Sequence, residues 1–157
     1  MKTNYLLPNK FKKPGWVLLM LGLAAGFFIY HFSYQPDFLE RSVLSIYEYD
    51  YDDNTRKIKF SILENNIADE IAMVMVLLGA FLVGFTKEKQ EDEFIYKLRT
   101  DSLVWAIILN SVILMFAIIF VYDFSFIDMM VYNMFTPLLF FVARFNFMKF
   151  KMRSHEE

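Results

Sequence analysis

The sequence predicts an all-α membrane protein of four transmembrane helices, with both termini in the cytoplasm and a small extracytoplasmic β-hairpin between helices 1 and 2. Three observations lead to this prediction. Of the 157 residues, 57% are apolar and 19% are aromatic, a composition too apolar for an ordinary soluble domain. Four stretches of membrane-crossing length carry few or no charges. Lys and Arg residues concentrate on one side of these stretches.

The four helices are predicted from apolar runs of about 20 residues, the length that crosses a hydrocarbon core of roughly 30 Å. The first and third runs contain no acidic, Lys or Arg side chain. The second begins with Asp69 and Glu70, where a helix N-terminus favours negative charge. The fourth carries Asp128 and Arg144 only near its ends. The predicted helices are residues 16–34, 67–85, 103–122 and 127–147, in a single integral membrane domain, 1–157.

The orientation follows from the distribution of cations, because Lys-rich and Arg-rich loops remain in the cytoplasm. Four Lys precede the first helix, four Lys and Arg lie in the link 86–102, and four more lie from Arg144 onward. The segment 35–66 holds the remaining four. Twelve cations against four place both termini and the link in the cytoplasm.

The external segment 35–66 contains the pattern of a hairpin. The first strand-like run alternates Val43, Ser45, Tyr47, Tyr49 and Tyr51 with Leu44, Ile46, Glu48 and Asp50, and Asp52–Thr55 breaks it. The second run alternates Ile58, Phe60 and Ile62 with Lys57, Lys59 and Ser61. An isolated two-stranded hairpin is marginally stable in water. We therefore expect the segment Val43–Leu63 to lean on the membrane, on helix ends or on another protein.

The charged cytoplasmic link contains Lys and Glu residues spaced four apart, such as Lys89 with Glu93 and Glu93 with Lys97. This spacing favours a helix with a solvated, salt-bridged face over residues 86–100. The helix either lies in the headgroup region or continues into the third spanning helix. Its candidate contacts for a partner are Glu91, Asp92, Glu93, Lys97 and Arg99.

Catalytic and cofactor chemistry has little support in the sequence. The chain has no Cys and only two His, which excludes thiolate chemistry and the usual four-ligand zinc sites within one chain. The net charge of −2 argues against nucleic-acid binding. Nucleophile motifs and phosphate-binding glycine loops do not occur. We expect no enzyme activity, no catalytic residue, no metal and no cofactor.

Five ionisable residues map to the outer ends of the predicted helices. Together they form a candidate cation or proton site, although helix capping and access to water explain each of them without a ligand. A membrane enzyme that uses the acids is a third, weaker hypothesis. The residues are His31, Asp69, Glu70, Asp123 and Asp128.

Small and polar residues inside the predicted helices have two interpretations. Gly22 and Gly26, with Ala80 and Gly84, predict close helix packing within the bundle or, for the first pair, a homodimer. Asn110, Asn133, Thr136 and Pro137 predict hydrogen bonding between helices and a bend in the fourth helix, or else the lining of a transport path.

Two segments carry a resemblance to known proteins. With the stretch from Glu88 to Arg99 and the later stretch from Val131 to Thr136, the chain resembles small, uncharacterised four-span bacterial inner-membrane proteins over roughly residues 86–147. It is also similar to small membrane proteins that accompany a helix-turn-helix regulator and hold an acidic-then-arginine cytoplasmic loop. The first resemblance implies the fold and the location, and no activity.

The two patterned exposed segments predict a non-enzymatic interaction, accessory or regulatory subunit. It would present the charged helix to the cytoplasm and the hairpin to the outside. Its partners would be the lipid bilayer and either another protein or further copies of itself. The alternative is a small oligomeric transporter or channel, which would need a continuous polar stripe through the assembled bundle.

Overall fold

The computed structural model describes residues 5–32, 36–50 and 55–153. The chain is mostly helical, with one antiparallel hairpin between the first two long helices. The elements are α1 (Lys12–Phe32), β1 (Glu40–Asp50), β2 (Thr55–Asn66), α2 (Ala68–Gly84), α3 (Glu93–Phe120) and α4 (Phe124–Arg153). Short 3-10 turns lie at Asn9–Phe11 and Asp37–Leu39.

Three helical segments are long and apolar enough to cross a membrane: Asn9–Phe32, Glu93–Phe120 and Phe124–Met152. Most of their large apolar side chains are exposed. Exposed apolar helix surface is costly in water and is favourable in lipid. The chain is therefore a helical membrane protein, as the sequence predicted, and the hairpin lies at its predicted place.

The helix ends differ from the predicted ones in informative ways. Helix α1 begins at Lys12 rather than Trp16, and α4 continues to Arg153 rather than ending at Phe147. The link was predicted to be helical from residue 86, but residues 87–92 contain no helix. Helix α3 instead begins at Glu93, where the Asp92 side chain accepts a hydrogen bond from Ile95 N at 2.7 Å. An Asp at this position satisfies a free backbone N–H of the first turn and fixes the start of the helix.

One compact unit comprises Met1–Leu21 and Met75–Glu157. Its buried core is built from small and aromatic side chains of all four helices. Core residues include Leu19, Ala80, Val83, Ala106, Phe141 and Phe145. Helices α3 and α4 pack side by side, and the turn between them contains Asp123 in a left-handed backbone conformation, with φ 59°.

The second compact unit is Gly22–Val74, which contains the hairpin. Strands β1 and β2 pair from Glu40↔Asn66 to Asp50↔Thr55, with a register irregularity between Ser45 and Tyr47. The base of the hairpin is tied to its own flanks, because Asn66 Nδ2 donates to Pro36 O at 2.9 Å and Ile67 N donates to Leu39 O at 3.1 Å. The Asn66 Oδ1 atom also accepts from Ala68 N at 3.1 Å, at the start of α2.

Candidate functional site

Charged side chains surround the buried ring of Phe145 near the end of α4. The Nζ atoms of Lys12 and Lys149 lie 5.9 Å from the ring centroid, and the Arg99 guanidinium carbon lies 5.1 Å from it. These distances allow cation–π attraction. We call this group the Phe145 cluster; its members are Lys12, Glu88, Glu91, Arg99, Phe145 and Lys149.

Glu88 neutralises two of these cations. Its Oε1 atom accepts hydrogen bonds from Lys12 Nζ and from Lys149 Nζ, the second at 2.9 Å. Burial of the Glu88 carboxyl acts to raise its pKa, but the hydrogen bonds from Lys12 and Lys149 outweigh burial and hold the pKa below its usual value. One carboxylate thus ties α1 and α4 to the segment that follows α2.

Glu91 neutralises the third cation. Arg99 is only 3% exposed, and its Nη1 and Nη2 atoms donate to the two oxygens of Glu91 at 2.5 and 3.1 Å. This two-bond geometry is the strongest arrangement of an Arg–carboxylate pair. Glu91 Oε2 also accepts from the backbone N–H of Glu88 at 2.8 Å, so the same carboxylate holds the non-helical link in place.

The segment before α1 is fastened to the same link. Leu7 N donates to Phe85 O and Lys87 N donates to Leu7 O, both at 2.9 Å, which forms an isolated parallel β-bridge between Leu7 and Thr86. Asn9 Nδ2 donates to Lys87 O at 2.7 Å. The Phe145 cluster and this bridge together hold the segment before α1, the link after α2 and the last part of α4 against one another.

The five candidate partner contacts divide between residues that make contacts within the protein and residues that lie only on its surface. Glu91 and Arg99 bind each other, and Asp92 begins α3. Glu93 and Lys97 are exposed on the first turns of α3. Three of the five side chains therefore have structural roles, of which Glu91 and Asp92 also lie at the surface, and Glu93 and Lys97 remain as candidates.

The hairpin presents an exposed apolar face. Leu44 and Ile62 are directly paired across the strands, so their side chains lie on the same face. Leu44 is 66% exposed and Ile62 is 75% exposed, and nearby Phe60 is 71% exposed. The outer edges of this two-stranded sheet also bear backbone groups unpaired by any strand in the described part of the chain.

Close helix packing depends partly on the predicted small residues. A Cβ atom added at Gly84 would lie 2.5 Å from Phe141 Cε1, and Ala80 is fully buried. Gly22 is buried, whereas a Cβ atom added at Gly26 would meet nothing within 4 Å. Sequence analysis missed the closest approach, at Gly79, where an added Cβ atom would lie 2.4 Å from Leu19 N. The missed sequence signal was a repeat of small residues at every fourth position of α2, next to Gly79. These residues, Ala68, Ala72, Val76, Ala80 and Gly84, are all buried.

The polar residues within α3 and α4 bind one another or their own helices. Asn133 Nδ2 donates to Asn110 Oδ1 at 2.9 Å, and Thr136 Oγ1 donates to Tyr132 O at 3.1 Å. Pro137 lies inside α4, as the sequence requires. The Asn110–Asn133 bond supports the interpretation as a hydrogen bond between helices, and the transport path stays a prediction.

Two of the five outer ionisable residues, His31 and Glu70, have local partners. His31 stacks on Phe27, with ring centroids 5.5 Å apart, and Glu70 Oε1 accepts from Asn65 Nδ2 at 2.8 Å. Asp123 forms the turn that precedes α4, and Asp128 is exposed in the first part of that helix. Within residues 5–32, 36–50 and 55–153, no group of three or more His, Cys, Asp or Glu residues is placed to hold a metal ion.

One further cation, Arg144 of α4, lies apart from the Phe145 cluster's carboxylates. Its Nη1 atom donates to Ser102 Oγ at 2.9 Å, and its guanidinium carbon lies 5.7 Å from the centre of the Trp105 ring. The partners of Arg144 are therefore a neutral hydroxyl and an aromatic ring.

Comparison of the chain with family models, curated proteins and solved structures gave no match.

Proposed function

We propose that the chain is a non-enzymatic membrane protein that binds another protein through the apolar face of its hairpin. The observation that carries this proposal is the exposure of the cross-strand pair Leu44 and Ile62. A two-stranded hairpin is marginally stable alone, and exposed neighbouring apolar side chains typically mark an interaction surface. A partner that covers this face would remove apolar surface from water and stabilise the hairpin at the same time.

The edges of the hairpin suggest how a partner binds. Strand β1 has 11 residues and β2 has 12, so each edge offers a long row of backbone donors and acceptors. An extended segment of a partner can add to such an edge as a third strand, with side chains that contact Leu44 and Ile62 for specificity. Glu93 and Lys97 form a second, smaller candidate contact at the start of α3.

The proposed arrangement has four membrane crossings, with both termini in the cytoplasm of a bacterial cell and the hairpin outside its inner membrane. The fourth crossing is α2, whose 17 residues span about 25 Å as a helix and lie at the lower end of membrane-crossing lengths. The distribution of twelve and four cations supports the orientation.

The orientation is testable because the chain contains no Cys. We expect a membrane-impermeant maleimide to label Ser42→Cys in β1 on intact cells and to label Lys151→Cys in α4 only after the cells are broken. Both positions are exposed. Labelling of both variants on intact cells would refute the four-crossing arrangement.

The hairpin proposal is tested with two matched double variants, each of which replaces a cross-strand apolar pair by Thr, a residue that strands accept. Leu44→Thr/Ile62→Thr alters the exposed face, and Val43→Thr/Leu63→Thr alters the neighbouring pair on the opposite face. A photo-crosslinker at Phe60 should capture a discrete partner band in the second variant and lose it in the first. Equal capture by both variants would contradict the proposal.

A further inference from the structure

Arg144 is a half-buried cation for which the described part of the chain supplies no carboxylate partner. In the described part of the chain, no carboxylate oxygen lies within 4.0 Å of its guanidinium group, and its one hydrogen bond goes to the neutral Ser102 hydroxyl. Arg99 is the useful contrast, because Glu91 binds it with two hydrogen bonds. Ser102 binds one Arg144 N–H group, and the other N–H groups of this guanidinium have no hydrogen-bond partner among the described residues.

The position of Arg144 in the helix pair corresponds to a membrane interface. Asp101 is the last charged residue of α3, and Arg144 is the first charged residue of α4 after Asp128. From Ser102 to the end of α3 at Phe120 the helix rises about 27 Å, close to the thickness of the hydrocarbon core. Ser102 and Arg144 therefore lie where hydrocarbon gives way to headgroups.

Trp105 adds a second interfacial feature at the same place. Trp105 is 53% exposed, and its ring lies against the Arg144 guanidinium. Trp is enriched at membrane interfaces because its ring is largely apolar while its N–H can reach polar groups. The pair therefore places an exposed Trp beside a guanidinium that has no carboxylate partner among the described residues.

The surrounding charge favours an anion. From Arg144 to its end at Arg153, α4 carries four cations and no acid, whereas the first turns of α3, from Glu93 to Asp101, carry two cations and two acids. A guanidinium binds phosphate through two parallel hydrogen bonds. Basic sites beside transmembrane helices bind anionic headgroups.

We propose that Arg144, with Ser102 and Trp105, binds the phosphate group of an anionic membrane phospholipid. The Arg144 guanidinium donates to the phosphate oxygens, Ser102 fixes the direction of the guanidinium, and Trp105 packs against the first part of the acyl chains. This site is independent of the proposed role of the hairpin.

The test measures lipid binding to the full chain in mild detergent by native mass spectrometry, with phosphatidylglycerol and phosphatidylcholine as probes. Salt at about 0.3 M screens long-range attraction and leaves direct contacts. We expect phosphatidylglycerol to bind more tightly than phosphatidylcholine, and Arg144→Gln to weaken phosphatidylglycerol at least tenfold, as loss of a charge-assisted hydrogen bond requires. The matched control Lys151→Gln removes an exposed cation from the same helix and should change binding less than twofold.

Two further variants keep the proposal testable if Arg144→Gln does not fold. Arg144→Lys keeps the charge but loses the two-bond geometry, and Trp105→Leu keeps the cation but loses the ring; each should weaken phosphatidylglycerol binding by several fold. Equal weakening by Lys151→Gln and the site variants would overturn the proposal. So would equal binding of both lipids, or displacement of the lipid by millimolar inorganic phosphate, which would assign the site to the free anion.

Discussion

The Phe145 cluster and the hairpin differ in which side chains turn inward and which turn outward. In the cluster, charged residues from separate parts of the sequence turn inward and bind each other around a buried ring. In the hairpin, apolar residues such as Leu44 and Ile62 turn outward. A dense run of charge is therefore not in itself a surface for a partner, and an alternating strand pattern does not by itself imply a buried face.

The largest expected effect is on the cluster. Glu88→Gln leaves the partly buried Lys12 and Lys149 without their shared carboxylate, so we expect about 3 kcal/mol loss of unfolding free energy. Denaturant unfolding in detergent measures it. Glu93→Gln, which removes an exposed acid from α3, is the control and should cost less than about 0.5 kcal/mol. Similar losses of unfolding free energy in both variants would mean that the cluster does not hold α1, α4 and the link together.

The next largest effect concerns the helices that the cluster joins. Gly79→Ala puts a Cβ atom 2.4 Å from the backbone nitrogen of Leu19, and a backbone atom yields less readily than a side chain. We expect a loss of about 2 kcal/mol from this overpacking. Gly26→Ala meets open space and should leave unfolding unchanged or slightly improved. Thermal unfolding of the two variants side by side decides the matter, and equal melting temperatures would contradict the close approach.

A smaller effect is the dependence of stability on pH. The pKa of Glu88 in the folded protein lies below its usual value of 4.5. As pH falls, the Glu88 carboxylate is therefore protonated in the unfolded chain at a higher pH than in the folded protein. The stabilisation by Glu88 is complete above pH 4.5 and is lost as pH falls through the lowered pKa. Melting temperature should therefore drop on acidification below about 4.5. The melting temperature of the wild-type protein should fall more steeply with decreasing pH than that of Glu88→Gln. Equal slopes for the two proteins would show that Glu88 is not the cause.

The smallest effect belongs to the hairpin. Leu44→Thr/Ile62→Thr changes two exposed side chains on a strand pair that accepts Thr, so unfolding free energy should change by less than about 0.5 kcal/mol. The same unfolding measurement checks this. A loss above about 2 kcal/mol would show that the face is covered within the protein, and it would remove the basis for a partner there.

The hairpin and the long helices were predictable because their signals are local. Alternation marked the strands, a stretch with two Asp and one Asn, which lies outside the described residues, separated them, and uncharged runs marked α1, α3 and α4. The cluster was not predictable in this way, since Glu91 and Arg99 are eight residues apart and meet only because Asp92 starts α3 after a non-helical link. Spacing of four between charges predicts contact only if the whole segment is helical.

Candidate residues followed the same rule. Asn110 and Asn133 were recognised from their type, since a polar amide in an apolar helix needs a partner, and the structure joins them. The residue types of Gly79 and Phe145 gave no such signal, because a single Gly and one Phe among nineteen look like ordinary lipid-facing residues. Their importance comes from the neighbours that folding brings to them, Leu19 for the first and three cations for the second.

The lysine at the start of α1 has a consequence for biosynthesis. Lys12 donates a hydrogen bond to Glu88, 76 positions later in the chain, and the same carboxylate also binds Lys149, a further 61 positions along. As the ribosome delivers the chain in order, α1 enters the bilayer long before either partner exists, and Lys12 must stay hydrated at the surface during that time. The final docking of the first helix is therefore a late event, completed only after α4 has been made.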